Sequence, residues 1–463
     1  MRLPALVAVF GLVGCGFHSG FDNTRYQCGL GDVCPSGYEC VAGYCELGTP
    51  DAAVADADPL APDADLTAPD ASPDAAVAAA GCGTLALLVD DFSTSTRSAL
   101  WTRFADTNAT LTQANGSLKI ALAAGSGDFW GGYDSAYAYD LTSSQISTTV
   151  AQTGGINTVL EIWNRTGGKA QVAVMNGMIG AVVLGVPGAG ARGQVAYVPA
   201  THRHWRIREA SGTMYWETSP NGSAWTELWH EVLPFAVEHV RGRLAAGGLL
   251  ACTTQPPCAP SEARFDEVNL GAPAVPGLCG AQTLVDDFTA LGPRWSAWAD
   301  PGCTVSIVTG ELVLASSGSN ENYCGLDSEH LYDLTAGPIY ADATAIASGS
   351  NHVSFFQAVA PGDGNTRIEI DRDQDTMQYQ QWIGGTLTTD VQLPYMATDR
   401  YWRLRINGTT VNLGTSPDGI TFTDRTNSTL GFDATKVHIV VAGGHYAAGS
   451  AAVNAKYRGI NTP

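Results

Sequence analysis

His204-Trp205-Arg206-Ile207-Arg208 recurs 197 residues later as Tyr401-Trp402-Arg403-Leu404-Arg405. In both copies apolar side chains alternate with arginines. Trp402, Leu404 and Ile406 fall on one face of an extended chain, Arg403 and Arg405 on the other. That period of two is the mark of a strand with one face in a core and one in water. The match continues without a gap through Thr218-Ser219-Pro220-Asn221-Gly222 and Thr415-Ser416-Pro417-Asp418-Gly419. Proline presets φ for the second position of a type I turn and glycine takes positive φ at its end, so the segment reads as a hairpin. Beyond the turn, Trp225 and Phe422 are expected to return to the core.

The duplication extends outward from this point. Leu88-Val89-Asp90-Asp91-Phe92 matches Leu284-Val285-Asp286-Asp287-Phe288, and Leu100-Trp101 matches Arg294-Trp295. Asn115-Gly116-Ser117-Leu118 aligns with Thr309-Gly310-Glu311-Leu312, and Tyr139-Asp140-Leu141-Thr142 returns unchanged at Tyr332-Asp333-Leu334-Thr335. Two repeats result, 82–272 and 279–463. Within the first, Ile146 to Val150, Thr158 to Trp163, Ala170 to Met175 and Val195 to Val198 are short apolar or alternating runs between Gly-rich turns. No amphipathic helix of useful length interrupts them. The fold class is all-β: two tandem antiparallel β-sandwiches.

The chain has 463 residues and a formal net charge of −21. Such an acidic surface repels phosphate backbones, which argues against nucleic acid as a partner. Eleven cysteines in clusters point to an oxidising compartment. At the N-terminus Arg2 precedes an apolar run from Leu3 to Val13, too short to span a bilayer, that ends in Leu12-Val13-Gly14-Cys15. This resembles the bacterial lipobox. The resemblance implies that 1–15 is a lipoprotein signal peptide, that Cys15 is lipidated, and that Gly16 directs the product to the outer membrane or cell surface. The membrane would then be a partner through acyl chains on Cys15.

Residues 16–49 carry Cys28, Cys34, Cys40 and Cys45, too short a stretch for a core of its own. Two disulfides in any of three connectivities are expected, since no Cys-x-x-Cys pair favours zinc. The pattern Cys-Pro-x-Gly-Tyr-x-Cys-x-x-Gly-x-Cys resembles the small cysteine-rich knots of lipoproteins from myxobacteria and their relatives. Residues 50–80 are almost wholly Ala, Asp and Pro. Proline blocks helix and repelling carboxylates extend the chain, so a disordered tether is expected.

The order Asp-Asp-Phe, Trp, Gly-x-Leu, Tyr-Asp-Leu-Thr, Trp-Arg-Ile/Leu-Arg and Ser-Pro-Asn/Asp-Gly resembles the concanavalin A-like lectin/glucanase superfamily, nearest its laminin-G-like jelly rolls. The resemblance implies two packed antiparallel sheets per repeat with termini close together. The cysteines are read against it. Cys252 and Cys258 occur only in the first repeat, Cys303 and Cys324 only in the second. Cysteines present together in one copy are expected to pair. Cys82 and Cys279 begin the two repeats, and a bond between them would clasp the first domain, provided its Cα atoms lie within about 7 Å.

Glycosidases of this superfamily carry Glu-x-Asp-x-x-Glu, or one residue fewer, on one strand. The nearest match, Glu369-Ile-Asp371-Arg-Asp373-Gln374-Asp375, has Gln374 at the sixth position and no Glu after it. At the 197-residue offset the first repeat has Val172 and Val174. No enzyme is therefore expected. Asp371, Asp373 and Asp375 also alternate as in a calcium loop, but Thr376 and Trp382 stand where glycine and glutamate are needed. Calcium here is the weaker reading against a solvated turn, and no other cofactor is implied. Asp90-Asp91 and Asp286-Asp287 could also ligate calcium but read more plainly as strand ends before a buried phenylalanine. His202 and His204, though spaced as a metal pair on a strand, read as a surface pair because the second repeat has Asp399 and Tyr401 there. The aromatic segment Phe129-Trp130-Gly-Gly-Tyr133-Asp134 aligns with Asn322-Tyr323-Cys324-Gly325-Leu326-Asp327. A loop presenting Trp130, Tyr133 and Asp134, with Tyr323 and Asp327 in the second copy, would suit sugar rings and hydroxyls.

The expectation is a surface lipoprotein acting as a non-catalytic binding module for carbohydrate, tandem copies adding avidity. A structural or adhesive envelope protein that contacts other proteins is the alternative, and a divergent glycoside hydrolase the third.

Overall fold

The protein is described from a computed structural model. It describes residues 81–462 apart from 124–128, 155–156, 249–260, 272–275, 319, 346–350 and 449–450, with the backbone of Tyr26–Gln27, Tyr38–Val41 and Tyr44–Leu47. Those last three strands pair antiparallel in the N-terminal unit Met1–Ser72. Cys15, Cys28, Cys34, Cys252, Cys258, the tether 50–80 and the side chains of Cys40 and Cys45 lie outside the described residues.

The second unit, Pro73–Pro463, holds two β-sandwiches. In the first, one seven-stranded sheet runs Gly190–Ala196, Met178–Leu184, Lys169–Met175, Asn157–Asn164, Val240–Gly248, Phe129–Ser135, Trp101–Ala105. Its partner sheet runs Thr226–Val232, Thr213–Ser219, His204–Ala210, Gln145–Gln152, Ser261–Val268, Ser117–Leu122, Ala109–Ala114. The second sandwich repeats both orders. Its first sheet is Thr386–Pro394, Thr376–Ile383, Arg367–Asp373, His352–Val359, His438–His445, Asn322–Ser328, Trp295–Ala299. Its second is Thr423–Thr429, Thr410–Ser416, Tyr401–Asn407, Ile339–Ala345, Val453–Ile460, Glu311–Ser316, Cys303–Val308. Neighbours in these four sheets are antiparallel, and identical order in both copies is what a duplicated jelly roll requires.

The alternating strands behave as their period demands. Trp205, Ile207, Trp402 and Leu404 are buried between sheets, together with Trp101, Trp216 and Trp295. Each such side chain contributes about 1.5–3 kcal/mol of burial. On the outer face Arg206 and Arg208 meet Glu217 at 2.7 and 3.0 Å, and Arg403 and Arg405 meet Asp424 at 2.7 and 2.9 Å. At the hairpins Ser219 Oγ accepts from the amides of Asn221 and Gly222, and Ser416 Oγ from Asp418 and Gly419. Gly222 and Gly419 take φ of 75° and 73°.

The residues after these turns depart from expectation. Trp225 and Phe422 are not in the core. They stand on the outer face, where Arg206 lies 4.0 Å from the Trp225 ring centre and Arg403 4.3 Å from that of Phe422. An aromatic ring can satisfy its apolar surface against a guanidinium plane as well as against a core.

The sandwiches pack on each other along a seam. Cys82 and Cys279 are disulfide-bonded with Cα atoms 4.9 Å apart. Glu329 of the second sandwich pairs with Arg165 (2.6 Å) and Arg241 (2.5 Å) of the first. His239 Nδ1 lies 2.6 Å from His330 Nε2, and Tyr137 Oη 3.4 Å from His438 Nδ1. Within the second sandwich Cys303 is bonded to Cys324.

Candidate functional site

Strand parity decides which side chains of the second sandwich share the exposed face of its first sheet. In Arg367–Asp373, Ile368 and Ile370 enter the core, so Arg367, Glu369, Asp371 and Asp373 point outward. In Thr376–Ile383, Met377 and Tyr379 enter, leaving Gln378, Gln380 and Trp382 outside. Register then lines residues up across the sheet. Asp327, Val440, Gln357, Glu369, Gln380 and Asp390 form one row, and Gly325, Ala442, Phe355, Asp371 and Gln378 the next.

Hydrogen bonds hold this face in place. Trp298 Nε1 donates to Asp327 (3.0 Å) and Trp382 Nε1 to Gln380 (2.9 Å), so both indoles are oriented by the polar row. Gln380 Nε2 donates to Gln378 (2.7 Å) and Asp390 (3.1 Å). Glu369 accepts from Gln357 (2.5 Å) and from two nitrogens of Arg367 (2.9 and 3.1 Å). Arg367 in turn lies 4.9 Å from the Trp382 ring centre. Trp298, Tyr323, Phe355 and Trp382 are all half-buried, with surface left for a ligand.

Asp371 is the exception to this satisfaction. It is buried, and its Oδ1 has no hydrogen-bond partner. Burial pushes its carboxyl well above the usual range, and the charges of Glu369, Asp373 and Asp390 push the same way. Burial likewise raises Asp327, against the Trp298 hydrogen bond.

The first sandwich carries a different version. Its row is Asp134, Arg243, Glu161 and Gln171, and Arg243 bridges Asp134 (2.5 Å) and Glu161 (3.0 Å). Arg243 occupies the position of Val440 and closes the row with ion pairs. The pairing of Glu161 with Gln171, and of Gln357 with Glu369, corrects the sequence alignment by one residue. The counterparts of Glu369 and Asp371 are Gln171 and Ala173, not Val172 and Val174, which are core. A slip of one residue exchanges the two faces of a strand.

The expected aromatic loop is a strand, Phe129–Ser135. Tyr133 is 4% exposed and packs 6.4 Å from Phe92 and 6.1 Å from Trp101, so it belongs to the core. Trp130 and Asp134 share the opposite face, but Trp130 rests on an apolar patch with Val159 and Ala245, and Asp134 is held by Arg243. Tyr323 and Asp327 do lie on the second sandwich's open face. Trp298, Gln357 and Trp382 were missed in the sequence; the alternation in 376–383 was the signal for Trp382.

The three aspartates of the calcium reading are placed differently from one another. Asp371 is mid-strand, Asp373 accepts from Tyr446 (3.1 Å), and Asp375 lies in the hairpin turn itself, 3.7 Å from Arg372. Among the described residues no three His, Cys, Asp or Glu side chains are grouped to hold a metal ion. Asp91 and Asp287 cap their own turns by accepting from the Ser93 and Thr289 amides. His202 and His204 are directed to separate partners, Val198 N and Thr149 Oγ1.

No family model matches the chain, and no curated protein matches it. Among solved structures it aligns with a Bacillus licheniformis β-glucanase at 17% identity and a TM-score of 0.31, over 38% of this chain and 95% of that one. The GH43 protein BlXynB of Bacillus licheniformis aligns at 12% identity and 0.33, over 76% and 85%. Carbohydrate-binding module CBM66 from Bacillus subtilis aligns at 10% and 0.23, over 35% and 94%. At scores this low the alignments decide nothing about what this chain binds.

Proposed function

We propose that the chain is a carbohydrate-binding lipoprotein of the cell envelope, anchored through Cys15, whose binding face is the outer face of the second sandwich around Trp298, Trp382 and the row Asp327–Gln357–Glu369–Gln380. The observation that carries this reading is the fixed alternation of indoles and hydrogen-bonding groups on one open sheet face. Sugar rings present apolar faces to aromatic planes and hydroxyls to amides and carboxylates. Because Arg243 closes the equivalent row in the first sandwich, the duplication does not make two equal faces, and avidity from this face is not expected.

A glycan array on the soluble chain, run with calcium and with chelator, tests the reading. Specific binding that falls about tenfold in Trp382→Ala supports it. A blank array with folded protein moves the weight to the protein-contact alternative. One observation favours a second reading, a glycoside hydrolase: burial, with the neighbouring outward carboxylates Glu369 and Asp373, pushes the Asp371 carboxyl well above the usual range. Sugar release from β-glucans that disappears in Glu369→Gln would replace binding by catalysis.

A further inference from the structure

The duplication supplies an internal control for a groove in the first sandwich. A groove of about 480 Å³ lies on the outer face of the sheet that contains His204–Ala210, between Gln145–Gln152 and the turn leading to Trp225. Ser147 pairs with Arg206 across this sheet as Tyr340 pairs with Arg403 in the second copy. Their amides donate to equivalent asparagines, Asn269 Oδ1 at 2.7 Å and Asn461 Oδ1 at 2.9 Å. The two positions are therefore the same. In the second sandwich the Tyr340 ring fills the space, 5.6 Å from Phe422 and 6.3 Å from Tyr401. Those residues stand where the first copy has Trp225 and His204. A serine leaves the volume open.

The wall of the groove also differs. Thr149 Oγ1 donates its one proton to Glu267 Oε1 (2.6 Å) and so accepts from His204 Nδ1 (2.8 Å). This order fixes the His204 tautomer, with the proton on Nδ1 and the lone pair on Nε2. Burial lowers the His204 pKa, against the charge of Glu267, and so favours the neutral ring. In the second copy Asp342 replaces Thr149 and is clamped by Arg400, while Gly459 stands at the position of Glu267. No such relay exists there. Arg206, at the groove's edge, is already matched by Glu217, so the groove does not offer an unpaired cation to an anion.

We propose that this groove binds an uncharged polyhydroxylated ring, the end of a saccharide, with hydroxyls donating to His204 Nε2 and Glu267 and the ring set against Trp225. It shares only its ligand class with the face proposed above, and it lies in the other sandwich on the other sheet. The full chain is probed by saturation-transfer NMR with methyl glucoside, methyl galactoside, methyl mannoside, N-acetylglucosamine and cellobiose. Ser147→Tyr fills the groove as Tyr340 does, and Trp382→Ala removes the other face. At least one sugar is expected to bind the parent and Trp382→Ala alike, and to bind Ser147→Tyr and Glu267→Gln about tenfold more weakly or worse. Glu267→Gln decides the matter should Ser147→Tyr not fold. Binding that survives both groove variants overturns the groove, and its loss in Trp382→Ala would then leave the face standing alone. No binding of any of the five sugars to the parent also overturns the groove, while the array still tests the face.

Discussion

The indole nitrogen of Trp101 lies 3.0 Å from Asp90 Oδ2, and in the second copy Trp295 Nε1 lies 2.8 Å from Asp286 Oδ2. The other oxygen of each carboxylate accepts a backbone amide two residues on, Phe92 at 2.7 Å and Phe288 at 2.8 Å. Both phenylalanines are buried at φ near 50° (49° and 50°), a conformation uncommon for a bulky side chain. One carboxylate thus holds a strained turn and orients a core tryptophan. The repeated Asp-Asp-Phe is a structural latch, and its first aspartate does the holding.

Asp286→Ala should therefore cost about 2–3 kcal/mol, because it leaves a buried indole N–H and a turn amide without partners. Asp287→Ala, at an exposed position, should cost less than about 1 kcal/mol. Urea unfolding of the two variants checks the difference, and equal losses would count against the latch.

The Cys82–Cys279 bond closes a sequence separation of 197 residues. Chain entropy puts its stabilisation near 5 kcal/mol as an upper figure. Cys82→Ser with Cys279→Ser should lower the unfolding midpoint of the first sandwich, and a reductant should then shift that midpoint less than it shifts the parent's. Melts with and without reductant read this directly.

The seam predicts sensitivity to acid. Removal from water pushes His330 down to about 3, helped by His239, Arg294 and Arg241, and pushes His438 down to about 4. His239 is lowered by burial and Arg294, against Glu238, Asp140 and Glu329. The folded state favours neutral rings. Its stability is whole above the ordinary histidine value of 6.5 and is lost as pH falls below it towards the folded values. Melting temperature should drop between about pH 6.5 and 4, and the drop should shrink in a His330→Gln, His438→Gln double variant. An unchanged slope in that variant would place the acid response elsewhere.

Asp371 predicts the opposite sign. Its folded pKa is raised, so its contribution is whole below the ordinary carboxylate value and is lost as pH rises through the folded value. Asp371→Asn keeps the shape without the charge. It should raise the melting temperature at pH 7 and change little below about pH 4. A destabilised variant at pH 7 would mean that Asp371 is ionised and partnered.

Strand period, turn chemistry and the duplication were all readable along the chain, because each depends on neighbours within a few residues. Trp402 and Leu404 could be assigned to a core, and Ser416-Pro417-Asp418-Gly419 to a turn, without knowing what lay opposite. The shared cysteine logic pointed to Cys82 with Cys279 for the same reason: it needed only the repeat. The open face needed more. Gln357, Glu369 and Gln380 lie on three successive strands, but Asp327 joins their row only through Val440 on the remote strand His438–His445, so sheet order and register are needed to bring the four into line. Tyr133 and Trp130 are three residues apart, yet one is core and the other is not, because a loop was in fact a strand. Gln171 took the place assigned to Val172 for a similar reason: a one-residue offset is invisible in a diverged repeat but reverses a strand's faces. The groove beside His204 depends on the same long-range placement. Ser147 and Tyr340 look unrelated in the chain, and only their common place in two folded copies shows that one opens what the other fills.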